Sequence, residues 1–274
     1  MKPLTPDVVS IQSQVVYGTV GNTAAAHVLQ ANGFEVAQVP TVILSSTPHY
    51  DTLYGGPVPR EWFSGWLQAL FERDAVKGIR AVQIGYLGES AQADILYDWL
   101  RRVLEANNDE VLVVMDPVLG DADKGIYTGP GMTDGWRRLI SLASGLTPNA
   151  FELGVLTDRP VSTMQEVFAA AGELLGGRTR WVAATSAAPA TWPEGQMHTA
   201  LSSGADRNVV AHEWVASAVK GTGDTFSASV TASLLKGGGL PDSMSLAGQV
   251  VTRALKDTIA AGAAELLLRN PALP

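Results

Sequence analysis

The strongest constraint on the fold is the alternation of short apolar segments with longer segments of helical periodicity. Val111–Met115 is apolar throughout and ends at Asp116, and Ala81–Gly85 is a similar segment that precedes it. Between them, Ala91–Asn107 carries apolar residues at helical spacing. A strand that is apolar on both faces must be covered on both faces. The sequence therefore predicts an α/β fold, a three-layer sandwich with a mostly parallel central sheet and helices on both faces.

The same alternation of apolar and helical segments continues along the chain. The predicted strands are Val8–Ile11, Phe34–Val39, Val42–Leu44, Ala81–Gly85, Val111–Met115 and Trp181–Ala184, followed by an edge hairpin of Gln196–Leu201 and Val209–Trp214. The predicted helices are Gly21–Asn32, Pro59–Arg73, Ala91–Asn107, one beginning at Phe151, Met164–Leu175, Gly223–Lys236 and Ser243–Arg269, the last with Gly262 as a weak point. No linker or repeat divides the chain, so we expect residues 1–274 to form a single domain with a small lid or hairpin.

Composition excludes several classes of function. The 274 residues contain no cysteine, which excludes disulfides, iron–sulfur clusters and thiolate zinc sites. The net charge is −8 and no basic cluster occurs, so we expect no nucleic-acid partner. No apolar run approaches the ~20 residues of a membrane span. The segment Met1–Asp7 has two prolines and an acid where a signal peptide needs an unbroken apolar core. We therefore expect a cytoplasmic protein without a membrane partner.

One glycine-rich segment is a candidate for a catalytic, anion-binding loop. Lys220–Phe226 places Gly221 and Gly223 just before a helix of small residues. Such a loop turns backbone N–H groups toward a ligand, and the helix N-terminus favours an anion. Asp224 then lies in the first turn, where a carboxylate can accept a proton from an alcohol during phosphoryl transfer. A second interpretation is that Asp224 only caps the helix and the glycines only form a turn. This segment alone leaves both interpretations open.

Motifs of three other enzyme classes are absent from the sequence. The turn after the first strand, Tyr17–Gly21, lacks the Gly-x-Gly-x-x-Gly pattern of a dinucleotide-binding dehydrogenase. No Gly-x-x-x-x-Gly-Lys-Ser/Thr loop and no Gly-x-Ser-x-Gly elbow occurs, which excludes a P-loop enzyme and an α/β-hydrolase.

Four further stretches, read with the Gly221–Asp224 loop, carry a family resemblance. They are Ser10–Asn22, Thr41–Gly56, Asp116–Asp121 with Gly125–Tyr127, and Thr147–Leu153. From about Val8 to Leu268 the chain resembles the ribokinase superfamily, and more closely the bacterial pyridoxine/pyridoxal kinases. The resemblance implies a ribokinase-like fold and ATP-dependent phosphorylation of the 5′-hydroxymethyl group of pyridoxal, pyridoxine or pyridoxamine, the vitamers of vitamin B6. It also implies Mg²⁺, a monovalent cation as a further candidate ion, and a homodimer.

The resemblance also implies roles for individual residues. Asp224 matches the catalytic base, and the backbone of Gly221, Thr222 and Gly223 matches the anion hole. The positions implied to serve the nucleotide are Asp116, Thr147, Asn149, Glu152, Thr185 and Lys220. Glu152, Asp116 and the carbonyl of Tyr127 are the implied metal site. The positions implied to contact the vitamer are Ser13, Val20, His49 and Tyr86. Lys220 either neutralises phosphate charge or forms a Schiff base with an aldehyde vitamer.

Alternatives to these roles stay open. Asp116 can be a turn carboxylate before Pro117, Glu152 a first-turn acid that the helix dipole favours, His49 a surface residue and Lys220 a solvated lysine. At the level of function, hydroxymethylpyrimidine kinase shares the loop, and a non-catalytic vitamer-binding sensor would share the fold. Because Asp224, Glu152 and both loop glycines are retained, the sequence favours an enzyme over a sensor.

Overall fold

A computed structural model describes residues 4–274 of the chain. Residues 1–3, which belong to the N-terminal segment used above to argue against a signal peptide, lie outside the described residues. Among residues 4–274, none of the helices combines the length and apolar character that a membrane crossing requires.

The centre of the molecule is a nine-stranded sheet. The described residues form eleven strands, of which nine belong to this sheet. They are β1 (Val8–Tyr17), β2 (Val36–Ser46), β3 (Gly55–Pro57), β4 (Ala81–Ile84), β5 (Leu112–Met115), β6 (Gly120–Asp121), β7 (Gly125–Ile126), β8 (Gly145–Leu146), β9 (Trp181–Ala184), β10 (Gln196–Ser203) and β11 (Asp206–Glu213). The sheet order is β11-β10-β9-β8-β5-β4-β1-β2-β3, and β6 and β7 form a separate small hairpin. Six neighbouring strands, from β9 to β2, run parallel, and β3, β10 and β11 are antiparallel additions at the edges.

Helices cover both faces of the sheet, as the sequence predicts. They are α1 (Asn22–Ala31), α2 (Arg60–Glu72), α3 (Ser90–Ala106), α4 (Met132–Ile140), α5 (Ala150–Thr157), α6 (Met164–Leu174), α7 (Thr222–Leu235) and α8 (Leu240–Ala260). Side chains of α2 to α6 bury one face in a core that includes Phe63, Trp99 and Trp136. Side chains of α1, α7 and α8 cover the opposite face with smaller clusters around Leu29 and Phe226. The predicted three-layer arrangement and the predicted hairpin at the sheet edge are confirmed.

Two strand predictions need correction. The predicted strands Phe34–Val39 and Val42–Leu44 merge into the single strand β2, which begins only at Val36, because an irregularity in the pairing with β1 accommodates Pro40, which has no N–H to donate. Gln12 pairs with Pro40 and Gln14 pairs with Ile43, so β2 holds one extra residue. β1 also continues to Tyr17, well beyond the predicted end at Ile11. Ser13 therefore sits on a strand, beside the irregularity.

Two helix predictions also need correction. The helix α4 was not predicted, although Met132, Trp136 and Ile140 are buried at helical spacing; Gly135 weakens that signal. The last helix ends at Ala260 and not at Arg269, because Gly262 adopts a φ of 60°. The residues after Gly262 consequently leave the helix as an irregular segment.

Candidate active site

The carboxyl ends of the parallel strands carry the polar residues that the sequence singled out. Tyr86 follows β4, Asp116 follows β5, Thr147 follows β8 and Thr185 follows β9. In open parallel sheets, this edge forms the ligand crevice. The N-terminus of α7 lies at the same edge, because Gly223 approaches Asp116: a Cβ on Gly223 would stand 3.4 Å from the Asp116 Oδ2 atom.

The loop before α7 leaves backbone N–H groups free for a ligand. Gly221 precedes the helix with a φ of 99°, and no side chain caps this end. The first N–H groups of a helix have no partner within the helix, so those of Thr222 and Gly223 point outward. A side chain at position 221 would collide with the carbonyl oxygen of Thr19. The glycine is therefore required by both its backbone conformation and its close approach to the loop after β1.

Asp224 is the third residue of α7 and is half-buried. Burial raises the pKa of its carboxyl group, and the nearby backbone N–H groups of Gly21 and of Asp224 itself partly oppose that rise. Gly21 in turn packs directly against Ser13. Asp224 therefore stands between the free amides of its own helix and the segment that contains Ser13.

A second group of carboxylates faces Asp224. Asp116 and Glu152 are 7% and 3% exposed. Burial is the main cause that raises the pKa of Asp116 well above its usual value, followed by the negative charges of Glu152 and Asp224, while the nearby hydroxyl group of Thr147 opposes the rise. Three carboxylates thus face one buried space, which is unfavourable unless a cation or a proton balances their charge.

Glu152 is held in place by its local structure. Asn149 caps α5 by accepting the Glu152 N–H at 2.8 Å, and Glu152 Oε2 accepts the Asn149 N–H at 2.9 Å, which is a capping box. Its Oε1 atom accepts the Leu119 N–H at 2.9 Å. Burial raises the pKa of Glu152 to about 8 despite these bonds. The interpretation of Glu152 as a first-turn acid is therefore correct locally, but its burial beside Asp116 exceeds what capping needs.

The acidic group fits a hard cation that prefers oxygen ligands. Among residues 4–274 no cluster of three or more His, Asp or Glu side chains encloses a metal. Mg²⁺ does not need such a cluster, because one or two carboxylates, waters and phosphate oxygens suffice. Asp116 and Glu152 provide two carboxylates. Tyr127 lies near them: it is 47% exposed, and partial burial followed by the charges of Asp121, Glu152, Asp116 and Asp224 raises its pKa. The residues present therefore fit Mg²⁺ held together with a polyphosphate.

The other residues predicted to serve the nucleotide lie on adjacent segments. Asn149 forms an isolated parallel bridge with Thr185, and the Asn149 side chain donates to the Gly120 carbonyl at 2.9 Å. Lys220 Nζ lies 3.1 Å from Asp121 Oδ2 and thereby joins the loop before α7 to the β6–β7 hairpin. The lysine is therefore paired and not simply solvated.

The residues predicted to contact the vitamer fall into two places. Ser13 is buried beside Gly21, and Val20 lies in the same loop. Tyr86 is half-buried, which raises its pKa, and its carbonyl accepts the Thr41 hydroxyl at 2.6 Å. His49 lies elsewhere on this edge, in the loop between β2 and β3, where its Nδ1 atom is 3.0 Å from Thr47 Oγ1.

The contacts of His49 reveal residues that the sequence analysis missed. His49 Nε2 lies 3.4 Å from Glu265 Oε1, and Glu265 also accepts the Thr47 hydroxyl at 2.8 Å. The prediction that α8 continues to Arg269 concealed Glu265. One signal was available, because Glu265 is the single charged residue between Ala260 and Leu268. Asp121, the partner of Lys220, was also missed as a site residue and carried no comparable signal.

The fold and this crevice define a class of protein. A mostly parallel sheet between two helical layers, with a Gly-x-Gly-Asp loop opening a helix opposite buried carboxylates, is the arrangement of a small-molecule kinase with a ribokinase-like fold. The model of the phosphomethylpyrimidine kinase family matches residues 10–268. The chain belongs to this family, and within it to the pyridoxine/pyridoxal/pyridoxamine kinases that its curated relatives represent.

Relatives and solved structures agree in length as well as in similarity. A pyridoxine/pyridoxal/pyridoxamine kinase of Bordetella pertussis is 50% identical over 272 residues, which cover 99% of this chain and 96% of the relative. A pyridoxal kinase of Rubrobacter xylanophilus is 33% identical, covering 96% of this chain and 91% of the relative. The structure of a pyridoxal kinase from Leishmania donovani with ADP and pyridoxine has a TM-score of 0.87 at 27% identity and covers 97% and 92% of the two chains.

Proposed function

We propose that this chain transfers the γ-phosphoryl group of ATP to the 5′-hydroxyl group of vitamin B6 vitamers with the help of Mg²⁺. The single observation that carries the proposal is the position of Asp224, between the free amides of α7 and the Gly21–Ser13 contact. A carboxylate in that position can meet a hydroxyl group on one side while the amides meet a phosphoryl group on the other.

The reaction balances with the residues present. Asp224 accepts the proton of the 5′-hydroxyl group while the hydroxyl oxygen forms a bond to the γ-phosphorus. The bond between the γ-phosphorus and the oxygen that bridges to the β-phosphate breaks, and ADP leaves with that electron pair. An alcohol holds its proton far more tightly than a carboxyl group does, so the proton transfer accompanies the phosphoryl transfer. Asp224 therefore acts chiefly by orienting the hydroxyl oxygen.

The loop backbone stabilises the negative charge of the phosphoryl group, and the acidic residues would hold the cation that neutralises it. The N–H groups of Thr222 and Gly223 can donate to the oxygens of the transferring phosphoryl group, where charge is concentrated in the transition state. Asp116 directly and Glu152 through water would hold Mg²⁺, since both Glu152 oxygens already accept backbone N–H groups. Bound Mg²⁺ would neutralise part of the triphosphate charge. Lys220 can leave Asp121 to pair with a phosphate oxygen.

The remaining predicted site residues are proposed to orient the two substrates. Thr147, Asn149 and Thr185 lie on the side of the acidic group and are proposed to contact the nucleotide. Ser13, Val20, Tyr86 and His49 are proposed to bind the pyridine ring. We propose further that residues 1–274 act as one catalytic domain in the cytoplasm and as a homodimer. A monovalent cation requirement stays a prediction of the family resemblance.

A direct assay tests the proposal. The purified chain is incubated with Mg²⁺–ATP and, separately, with pyridoxal, pyridoxine, pyridoxamine and hydroxymethylpyrimidine, and kcat/KM is compared. We expect the highest value for one of the B6 vitamers. A preference for the pyrimidine would instead favour the hydroxymethylpyrimidine kinase that the description of the family model suggests. Binding of pyridoxal without ATP consumption would favour a sensor and contradict the proposal.

Replacement of Asp224 provides the sharper test. Asp224→Asn keeps the shape of the side chain and removes its basicity, so we expect kcat to fall by about 10²- to 10⁴-fold while KM for ATP changes less than about tenfold. Asp242→Asn is a matched control, because Asp242 is also the third residue of a helix but is exposed. An unchanged kcat in Asp224→Asn would remove this carboxylate from the mechanism.

A further inference from the structure

The segment after α8 returns to the active-site edge. Because α8 ends at Ala260, residues 261–268 are free to turn back, and the Leu267 N–H donates to Thr258 Oγ1 at 2.9 Å. Leu266 is 1% exposed, so the segment is anchored by burial as well. Glu265, next to this anchor, directs its carboxylate at the loop between β2 and β3.

The contacts of Glu265 determine where the protons of its neighbours lie. The Thr47 hydroxyl has one proton and donates it to Glu265 Oε1 at 2.8 Å, since a carboxylate can only accept. In the 3.0 Å contact between Thr47 Oγ1 and His49 Nδ1, the hydroxyl oxygen must then accept and Nδ1 must donate. The second ring nitrogen, Nε2, lies 3.4 Å from Glu265 Oε1, so Thr47 and Glu265 together fix the orientation of the His49 ring.

Glu265 is seated tightly against the surrounding chain. Thr47 is fully buried and the Glu265 side chain is 13% exposed, so their hydrogen bond is shielded from water. Gly18, with a φ of 108°, leaves no room for a side chain, because a Cβ there would lie 2.5 Å from Glu265 Oε2. The Tyr50 hydroxyl lies close to Glu265 as well, and this carboxylate is the main cause that raises the pKa of Tyr50 to about 12.

The neighbouring residue links the same segment to the anion hole. Leu266 Cδ2 lies 3.5 Å from where a Cβ on Gly221 would stand, and Gly221 also packs against the Thr19 carbonyl. Glu265 and Leu266 therefore contact the two loops that must converge when a vitamer hydroxyl meets a phosphoryl group. The two residues are adjacent in sequence, so a shift in one loop displaces the support of the other.

From these contacts we infer that Glu265 is a positioning residue, which fixes the Thr47–Tyr50 loop and thereby holds the His49 ring in the orientation that meets the vitamer. This inference rests on the proposed function and deepens it. Glu265 acts through Thr47 and His49, with which its carboxylate is in contact.

The experiment compares Glu265→Gln, Thr47→Val, Thr47→Ser and His49→Ala by steady-state kinetics, with vitamer and ATP varied in turn. A glutamine can donate as well as accept, so it no longer dictates the Thr47 and His49 protons. We expect Glu265→Gln and Thr47→Val to raise KM for the vitamer about tenfold, ~1.4 kcal/mol, with KM for ATP changed less than twofold. Thr47→Ser keeps the hydroxyl and should retain the wild-type values.

A double variant tests whether Glu265 works through His49. In the His49→Ala background, Glu265→Gln should raise KM for the vitamer no further. Glu213→Gln is the matched control, because Glu213 is an exposed glutamate that pairs with Lys256 on the far edge. Additive effects of Glu265→Gln and His49→Ala, or equal changes in both KM values, would overturn the inference. If Glu265→Gln does not fold, Thr47→Val and Thr47→Ser decide alone. Wild-type protein inactive on all vitamers would contradict the proposed function instead.

Discussion

At the scale of single residues, the acidic side chains of the crevice oppose folding in the ligand-free protein. Asp116 and Glu152 are buried, and both have raised pKa values because burial penalises their charge. Asp224 shares that cause. Residues selected for stability alone would not gather three carboxylates here. The cluster therefore indicates a site whose negative charge is balanced by a proton or by a bound cation.

The raised pKa values predict that the stability of the ligand-free protein depends on pH. The pKa of Glu152 is about 8 in the folded chain and near 4.5 when unfolded, so the folded state binds an extra proton between these values. The free energy of unfolding of the ligand-free protein should therefore fall as pH rises through that window. His212 has the opposite effect on the free energy of unfolding, because burial lowers its pKa to about 4. That effect is confined to pH values below about 6.5. Urea denaturation between pH 6.5 and 8 isolates the carboxylates.

In the variant Asp116→Asn, the free energy of unfolding should fall less steeply as pH rises. It removes one buried charge, so we expect the ligand-free variant to exceed the wild type by ~1 kcal/mol or more at pH 8, with a smaller difference at lower pH. Its kcat should drop and its Mg²⁺ requirement should rise. Asp116 is a cleaner probe than Glu152, because Glu152→Gln would turn an amide NH₂ toward a backbone N–H. Equal stability of Asp116→Asn and wild type at every pH would refute the electrostatic argument.

At the scale of elements, the outer hairpin depends on α8. The His212 ring on β11 lies directly over Gly248 of α8, 3.2 Å from Thr199 Oγ1 and edge-on to Phe226. A methyl group at position 248 would overlap the ring. Close contact of this strand with the helix thus requires a glycine in the middle of a helix, where glycine itself is unfavourable.

Two alanine substitutions separate helix propensity from packing. Alanine is favoured over glycine by up to ~1 kcal/mol within a helix. Gly172 in α6 is exposed with no atom near its missing Cβ, so Gly172→Ala should stabilise the protein by about that amount. Gly248→Ala should instead destabilise it by roughly 1–3 kcal/mol. Urea denaturation measures both, and stabilisation by Gly248→Ala would show that His212 can move away without cost.

At the scale of the whole molecule, several exposed apolar side chains lie at one end of the sheet. Val16, Tyr17, Ile43, Leu53 and Tyr54 are all at least 42% exposed and lie on β1, β2 and the loop before β3. An apolar patch beside an open sheet edge is typical of a surface that another chain covers. It supports the proposed homodimer, whose interface would lie close to the loop that carries His49.

A charge in this patch should dissociate the dimer. We expect Ile43→Glu to give a monomer by sedimentation velocity at a concentration where the wild type is a dimer, because an unpaired buried charge is costly at an interface. Val209→Glu is the control, since Val209 is 45% exposed on β11, at the opposite edge of the sheet from β3. A monomeric wild type, or a dimer unaffected by Ile43→Glu, would contradict the proposal.

The sequence by itself determined the features that depend on local periodicity. Apolar strands such as Val111–Met115 specify a buried sheet, and the two glycines before Asp224 specify a helix N-terminus with free amides. The family resemblance added roles for residues at the strand ends. Each of these signals lies within a short stretch of chain, which is why they can be read without coordinates.

Only the tertiary structure decided how distant segments meet. Glu265 contacts Thr47 across 218 positions of sequence, and that contact exists because Gly262 ends α8 early. The raised pKa values of Asp116 and Glu152 likewise arise from burial and from neighbours on other elements. Hydrophobic periodicity fixes which face of an element is buried, whereas contacts between loops depend on where the topology brings their ends together.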